Sequence, residues 1–153
     1  MTSTAQLVVF TLDRQRFALL LASVERVVRA VEITSLPKAP EIVVGVINVR
    51  GQIIPIFNIR KRFRLPETEI KLNDQIIIAH TSKRIVGIIV DSVHDIIECP
   101  EQDIISAEKI LPGIEYVEAV VKLKNGLLLI HDIDRFLSIE EAKMLEDAVK
   151  GLQ

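Results

Sequence analysis

The segment IIPIFNIRKRF, Ile53 to Phe63, has a second copy in LLLIHDIDRFL, Leu127 to Leu137, 74 residues further on. A second pair, LASVERVV (Leu21–Val28) and VDSVHDII (Val90–Ile97), repeats at an offset of 69 residues. Each member of that pair follows an apolar run, a polar turn and another apolar run. The first set is Leu7–Leu12, Asp13-Arg14-Gln15 and Arg16–Leu21; the second is Gln75–His80, Thr81-Ser82-Lys83 and Arg84–Val90. Short polar loops between alternating apolar runs read as hairpins. The residues before the 53–63 and 127–137 copies also correspond, Arg50-Gly51 against Asn125-Gly126, and both are turn signals. Gln52 adds a residue to the first loop, so the two turns are expected to differ in type.

Two near-equal offsets imply an internal duplication. Each copy reads hairpin, connector, hairpin, with too few strands to cover its own faces. Closing about five short strands into a small barrel removes the open edges. The expected fold is mainly β: two tandem five-stranded barrels packed together. The first covers about residues 14–82; the second covers about 83–137 and takes in the strand 7–13. Chains rich in Ile and Val resemble one another at this level, and agreement of the offsets is the argument against coincidence. The tail, 138–153, reads as a helix. Ser138 and Glu141 form a capping box, apolar residues recur at Ile139, Ala142, Leu145, Ala148, Val149 and Leu152, and Gly151 marks the end. Pro55 inside a strand suggests an edge or a bulge.

Composition narrows the function. The 153 residues suffice to bury about 70% of the surface of the unfolded chain. Val, Ile and Leu supply 56 residues, 23 of them Ile, which favours strands. Nineteen basic against 21 acidic residues, and six aromatics with no Trp, offer neither a polyanion surface nor a stacking platform. No nucleic-acid partner is expected. Cys99 is the only cysteine, which fits a reducing cytoplasm. The first ten residues, MTSTAQLVVF, lack the pattern of a signal peptide, and no apolar run is long enough to span a membrane.

Candidate chemistry is sparse. His131, Asp132 and Asp134, with His94 and Asp95 in support, carry metal-binding donors. Yet His131 and Asp132 align with Phe57 and Asn58, and neighbours on a strand point to opposite faces. No metal site is expected. Asp91 and Asp95 read as turn and edge residues rather than an acid/base pair. No phosphate-binding glycine loop occurs, and Cys99 has no activating setting. The cluster RKRFR, Arg60–Arg64, reads as a solvated face or as steering for an acidic partner. Arg50 is unexplained by the turn that it occupies. Its planar fork suits paired hydrogen bonds to a carboxylate or to carbonyls.

At this point the residues resemble a known family. LVVFTL, LPKAPEIVVGVINVRGQIIPIFNIR, IVGIIVDSVHDII and LLLIHDIDRFLSIEEA together resemble the CheW-type chemotaxis coupling proteins, over a domain of residues 7–137 and into the tail. The G-V-x-N-x-R-G-x-x-x-P segment is the most specific part. The resemblance implies two SH3-like barrels, no enzymatic activity, no cofactor and a cytoplasmic adaptor, monomeric by itself. Its implied partners are the cytoplasmic tip of a chemoreceptor and the regulatory domain of a histidine autokinase; receptor helices would dock between the barrels. It places Arg50, Gly45 and Val24 at the receptor-coupling surface, with Val27 as a neighbouring apolar contact. One departure stands out. Arg26 lies two places after Val24, where the family commonly carries an acid, and a reversed charge changes partner choice. The output could then be swimming, or surface motility and pili. The rival readings are a purine-nucleotide module, which the missing phosphate loop disfavours, and a metal enzyme using His131, Asp132 and Asp134.

Overall fold

A computed structural model describes residues 3–29, 32–110, 116–124 and 126–152. Eleven strands are described in it: β1 Thr4–Leu12, β2 Gln15–Leu20, β3 Val24–Arg29, β4 Val43–Val49, β5 Gln52–Phe57, β6 Gln75–His80, β7 Ile85–Val90, β8 Ser92–Pro100, β9 Ile104–Ser106, β10 Val117–Leu123 and β11 Gly126–His131. Helix α1 is the single turn Ala107–Ile110, and α2 is Ile139–Lys150. The strands form a six-stranded sheet, β8-β1-β2-β11-β10-β9, and a five-stranded sheet, β3-β6-β7-β5-β4.

The duplication is present, but the two copies exchange their first hairpins. β1–β2 pairs with β8 and β11 of the second copy, and β6–β7 pairs with β3 and β5 of the first. Strands 15–20 and 85–90 therefore lie in the opposite sheets from those a cut near residue 82 would give them. The parallel joints are equivalent: Ile56 faces Gly87, and Ile130 faces Ala18. So are the bulges, Val24/Arg26 with Val93/Asp95, and Val43/Gly45 with Val117/Ala119. The sixth strand, β9, was not expected. Its counterpart in the smaller sheet is a single bridge, Thr34 to Val46.

Alternation along the exchanged hairpins distributes their side chains over three of the four buried clusters. Ile76, Ile78 and Ile89 join Ile47, Ile54 and Ile56 inside the smaller sheet. Leu7, Val9 and Ala18 join Val121, Leu128 and Ile130 inside the larger one. The intervening residues Phe10, Phe17, Leu19, Ile77, Ala79, Val86 and Ile88 point the other way and fill the layer between the sheets. Gly87 and Ala18 are small because a strand of the other copy runs beside them. A Cβ on Gly87 would stand 2.5 Å from Ile56 Cδ1.

Three local expectations change. β5 lies between β7 and β4, so Pro55 is not on an edge strand. The ladder to β7 starts at Ile56, and the missing N–H leaves no gap in it. Gln52 pairs with Val49, as Gly126 does with Leu123, so Arg50-Gly51 corresponds to Lys124-Asn125 and the loops are equally long. Asn125 is outside the described residues. The first hairpin turn is also two residues, Asp13-Arg14.

The tail forms as the capping box requires. The Glu141 N–H donates to Ser138 Oγ at 3.1 Å and the Ser138 N–H donates to Glu141 Oε1 at 3.1 Å. Leu145 and Ala148 of α2 are buried against the layer between the sheets.

Candidate functional site

Arg50 and Gly51 form the tip of the β4–β5 hairpin with φ values of 52° and 86°, the two left-handed positions of a type I′ turn. Glycine takes this conformation freely; arginine does so at a cost of about 1 kcal/mol. Asn48 Oδ1 accepts the Gly51 N–H at 2.8 Å and holds the turn. The Arg50 side chain is exposed, and among the described residues it has no ion pair. Arg14, at the second position of the β1–β2 turn, is also exposed and left-handed, with φ 69°.

Gly45 is buried five residues earlier on the same strand. It offers no surface. A Cβ there would lie 2.3 Å from the Thr34 carbonyl oxygen and 2.7 Å from Ile33 Cγ2. The glycine lets the 32–42 connector cross the strand, where Thr34 and Val46 exchange backbone hydrogen bonds of 2.7 and 2.9 Å.

Val24, Arg26 and Val27 lie together on β3, at the far edge of the smaller sheet from β4. Val24 is half-buried on the layer between the sheets, as is its repeat partner Val93 on β8. Val27 is 36% exposed, and Arg26 is exposed with no ion pair among the described residues. Thus the five residues divide into an edge strand with two valines and a cation, and a hairpin with one outward cation and one buried glycine. No backbone ladder joins the two edges.

Three of the four cations of the RKRFR cluster, Arg60, Lys61 and Arg62, are paired within the molecule; Arg64 is exposed and has no ion pair among the described residues. Arg60 is buried, donates to the Pro66 carbonyl at 3.2 Å and pairs with Asp91. Asp91 also accepts the Asp13 N–H at 2.7 Å, so one carboxylate fastens the 3₁₀ turn Ile59–Phe63 to the β1–β2 turn. Lys61 pairs with Glu41 and Glu67, and Arg62 joins Glu141 of α2 and the Phe136 carbonyl. Sequence reading missed these partners because their separations run from 6 to 79 residues. Asp91→Ala would leave a buried guanidinium short of its counter-ion. A loss of about 2 kcal/mol is expected in denaturant titration, with unchanged secondary structure.

The remaining polar candidates diverge. His131 is buried among Phe17, Phe63 and Phe136, with ring centroids 4.9–6.4 Å away. Asp132 caps the Asp134 N–H and pairs with Arg135; Asp134 accepts Ser82 N–H and Oγ–H, both at 2.9 Å. Among the described residues no three of His, Cys, Asp and Glu gather to hold a metal. Asp95 is exposed on β8, four residues along that edge from Asp91. Cys99 is buried, and burial raises its thiol pKa, the setting of an inert sulfur. No described helix is long and apolar enough to cross a membrane.

Two linked β-sheets carry exposed charge at their edges. Residues 6–141 match the CheW-like domain, and the chain belongs to that family. The chain is 31% identical to a chemotaxis protein CheW of Treponema pallidum, over 92% of this chain and 86% of that one. It is 32% identical to the CheW of Bacillus subtilis, over 90% of each. The crystal structure of the scaffolding protein TtCheW from Thermoanaerobacter tengcongensis superposes with a TM-score of 0.80 at 29% identity, covering 92% of this chain and 96% of that one.

Proposed function

We propose that this chain is a non-enzymatic cytoplasmic adaptor that couples the tip of a chemoreceptor to the regulatory domain of a chemotaxis histidine autokinase. It acts as a monomer between the two, and contributes orientation rather than chemistry. The receptor face comprises Val24 and Val27 as apolar contact and Arg50 as the residue that fixes register. Gly45 serves that face indirectly, by seating the connector against β4. Arg26 sets partner choice, and a receptor with a carboxylate opposite it is favoured.

The observation that carries this reading is an arginine kept in a left-handed turn, outward and without an ion pair among the described residues, in a chain of the CheW family. Arg14 shares that geometry, so conformation alone does not select Arg50; its place in the G-V-x-N-x-R-G segment does. Arg50→Asp should leave the melting temperature within about 2 °C and weaken capture of receptor tips by roughly 30-fold or more. Arg14→Asp should leave capture unchanged. Full receptor binding by the Arg50 variant would defeat the assignment.

A further inference from the structure

A groove of about 580 Å³ lies between α2 and the β6–β7 turn and contains none of Val24, Val27, Gly45 and Arg50. Its floor is apolar: Phe57, Val86, Ile133 and Leu145. One wall is a single face of α2, with Ile139, Ala142, Lys143 and Glu146 at helical spacing; Ile139 is 90% exposed. The opposite wall is the turn Thr81–Arg84.

The charges along the rim are not balanced. Asp134 is engaged by Ser82, and Glu146 pairs with Lys150 at 3.4 Å. Lys83, Arg84 and Lys143 have no carboxylate partner among the described residues. The rim therefore carries three cations without a carboxylate partner against one carboxylate, Asp134, that keeps its charge, an excess of positive charge around an apolar floor. The mode of recognition is also constrained. The strands that line it, β5 and β7, are both interior to the sheet, so an extended peptide finds no free strand edge to pair with. Side-chain contact remains, and a helix presents apolar and acidic residues together at i, i+3 and i+4 spacing.

We infer that this groove is a second docking site, separate from the Arg50 face, for an acidic amphipathic helix of a partner protein. An apolar side chain of that helix enters between Ile139 and Val86, and flanking carboxylates meet Lys83, Arg84 and Lys143.

The test uses the full chain, labelled with ¹⁵N, and two synthetic helical peptides. One carries leucines at i and i+4 with glutamates on the flanks; the other replaces every glutamate by lysine. The acidic peptide is expected to shift the amides of Ser82–Arg84 and Ile139–Glu146, and binding should weaken with salt. The Lys83→Glu/Lys143→Glu variant, checked for an unchanged melting curve, should lose at least about tenfold in affinity. Arg50→Asp should bind the peptide as the parent does, which separates this site from the receptor face. Absence of shifts at those amides overturns the inference. So does equal binding of the lysine peptide, or undiminished binding by the double variant.

Discussion

Gly45→Ala is expected to destabilise the protein by about 3 kcal/mol, although it adds only one methyl group. Small-to-large changes in packed sites cost about 1–3 kcal/mol. The upper end applies here because the obstacle is backbone. The Thr34 carbonyl lies 2.3 Å from the new Cβ, and its carbon 2.9 Å away. A main-chain carbonyl already bonded to the Val46 N–H at 2.7 Å cannot swing aside without releasing that bond. For a chain of this length the shift in melting temperature is roughly 10 °C. Amide exchange should localise the damage, with protection lost at Thr34 and Val46 before the ladders of β6 and β7. Wild-type melting and protection would show that the connector is not held by this contact. If the proposed receptor face is right, receptor capture should fall as the connector loosens, although Gly45 touches no partner.

The second large effect is with pH. Burial in an aromatic cluster lowers the His131 pKa from 6.5 to about 4, with the Tyr116 backbone opposing it weakly. The unfolded chain then binds the proton in a range where the folded chain does not. The stability tied to His131 is complete above about pH 6.5 and is lost as pH falls toward about 4. Its full extent is about 3 kcal/mol. The internal repeat supplies the control, since its equivalent position is Phe57, itself buried. His131→Phe should fold, and urea titrations from pH 7.5 to 4 should show a shallower loss than in the parent. Parallel stability curves for the two proteins would remove His131 as the cause.

The duplication, the hairpins and the tail helix were legible because each depends on neighbours in sequence. Alternation dictates which side of a strand is apolar, and Ser138 with Glu141 dictates where a helix starts. Which hairpin pairs with which copy was not legible. Ile76 and Ile78 face one way and Ile77 another whichever sheet receives them, so the pattern is silent about partners. A signal was present in Ala18 and Gly87, the small residues at matching places in the two hairpins, which mark a close neighbour. Of the proposed site, the exposure of Arg50 and Val27 was legible, whereas Gly45 is buried for a reason that only the crossing connector reveals. Arg60 and Arg62, which read as a free basic patch, are consumed by distant carboxylates.

The smaller sheet is built wholly from residues 24–90, whereas the larger one joins β1 and β2 to strands that follow β7 and cannot be completed from a contiguous stretch of polypeptide. During synthesis the smaller sheet must wait for Val90, and the larger for His131 to meet β2 across more than a hundred residues. Such a long closure slows the folding of the larger sheet, which forms around a smaller sheet already complete in sequence. The finished molecule is a clasp rather than two beads on a string. A force applied to the larger sheet passes into the smaller one through the chain on both sides of residues 24–90.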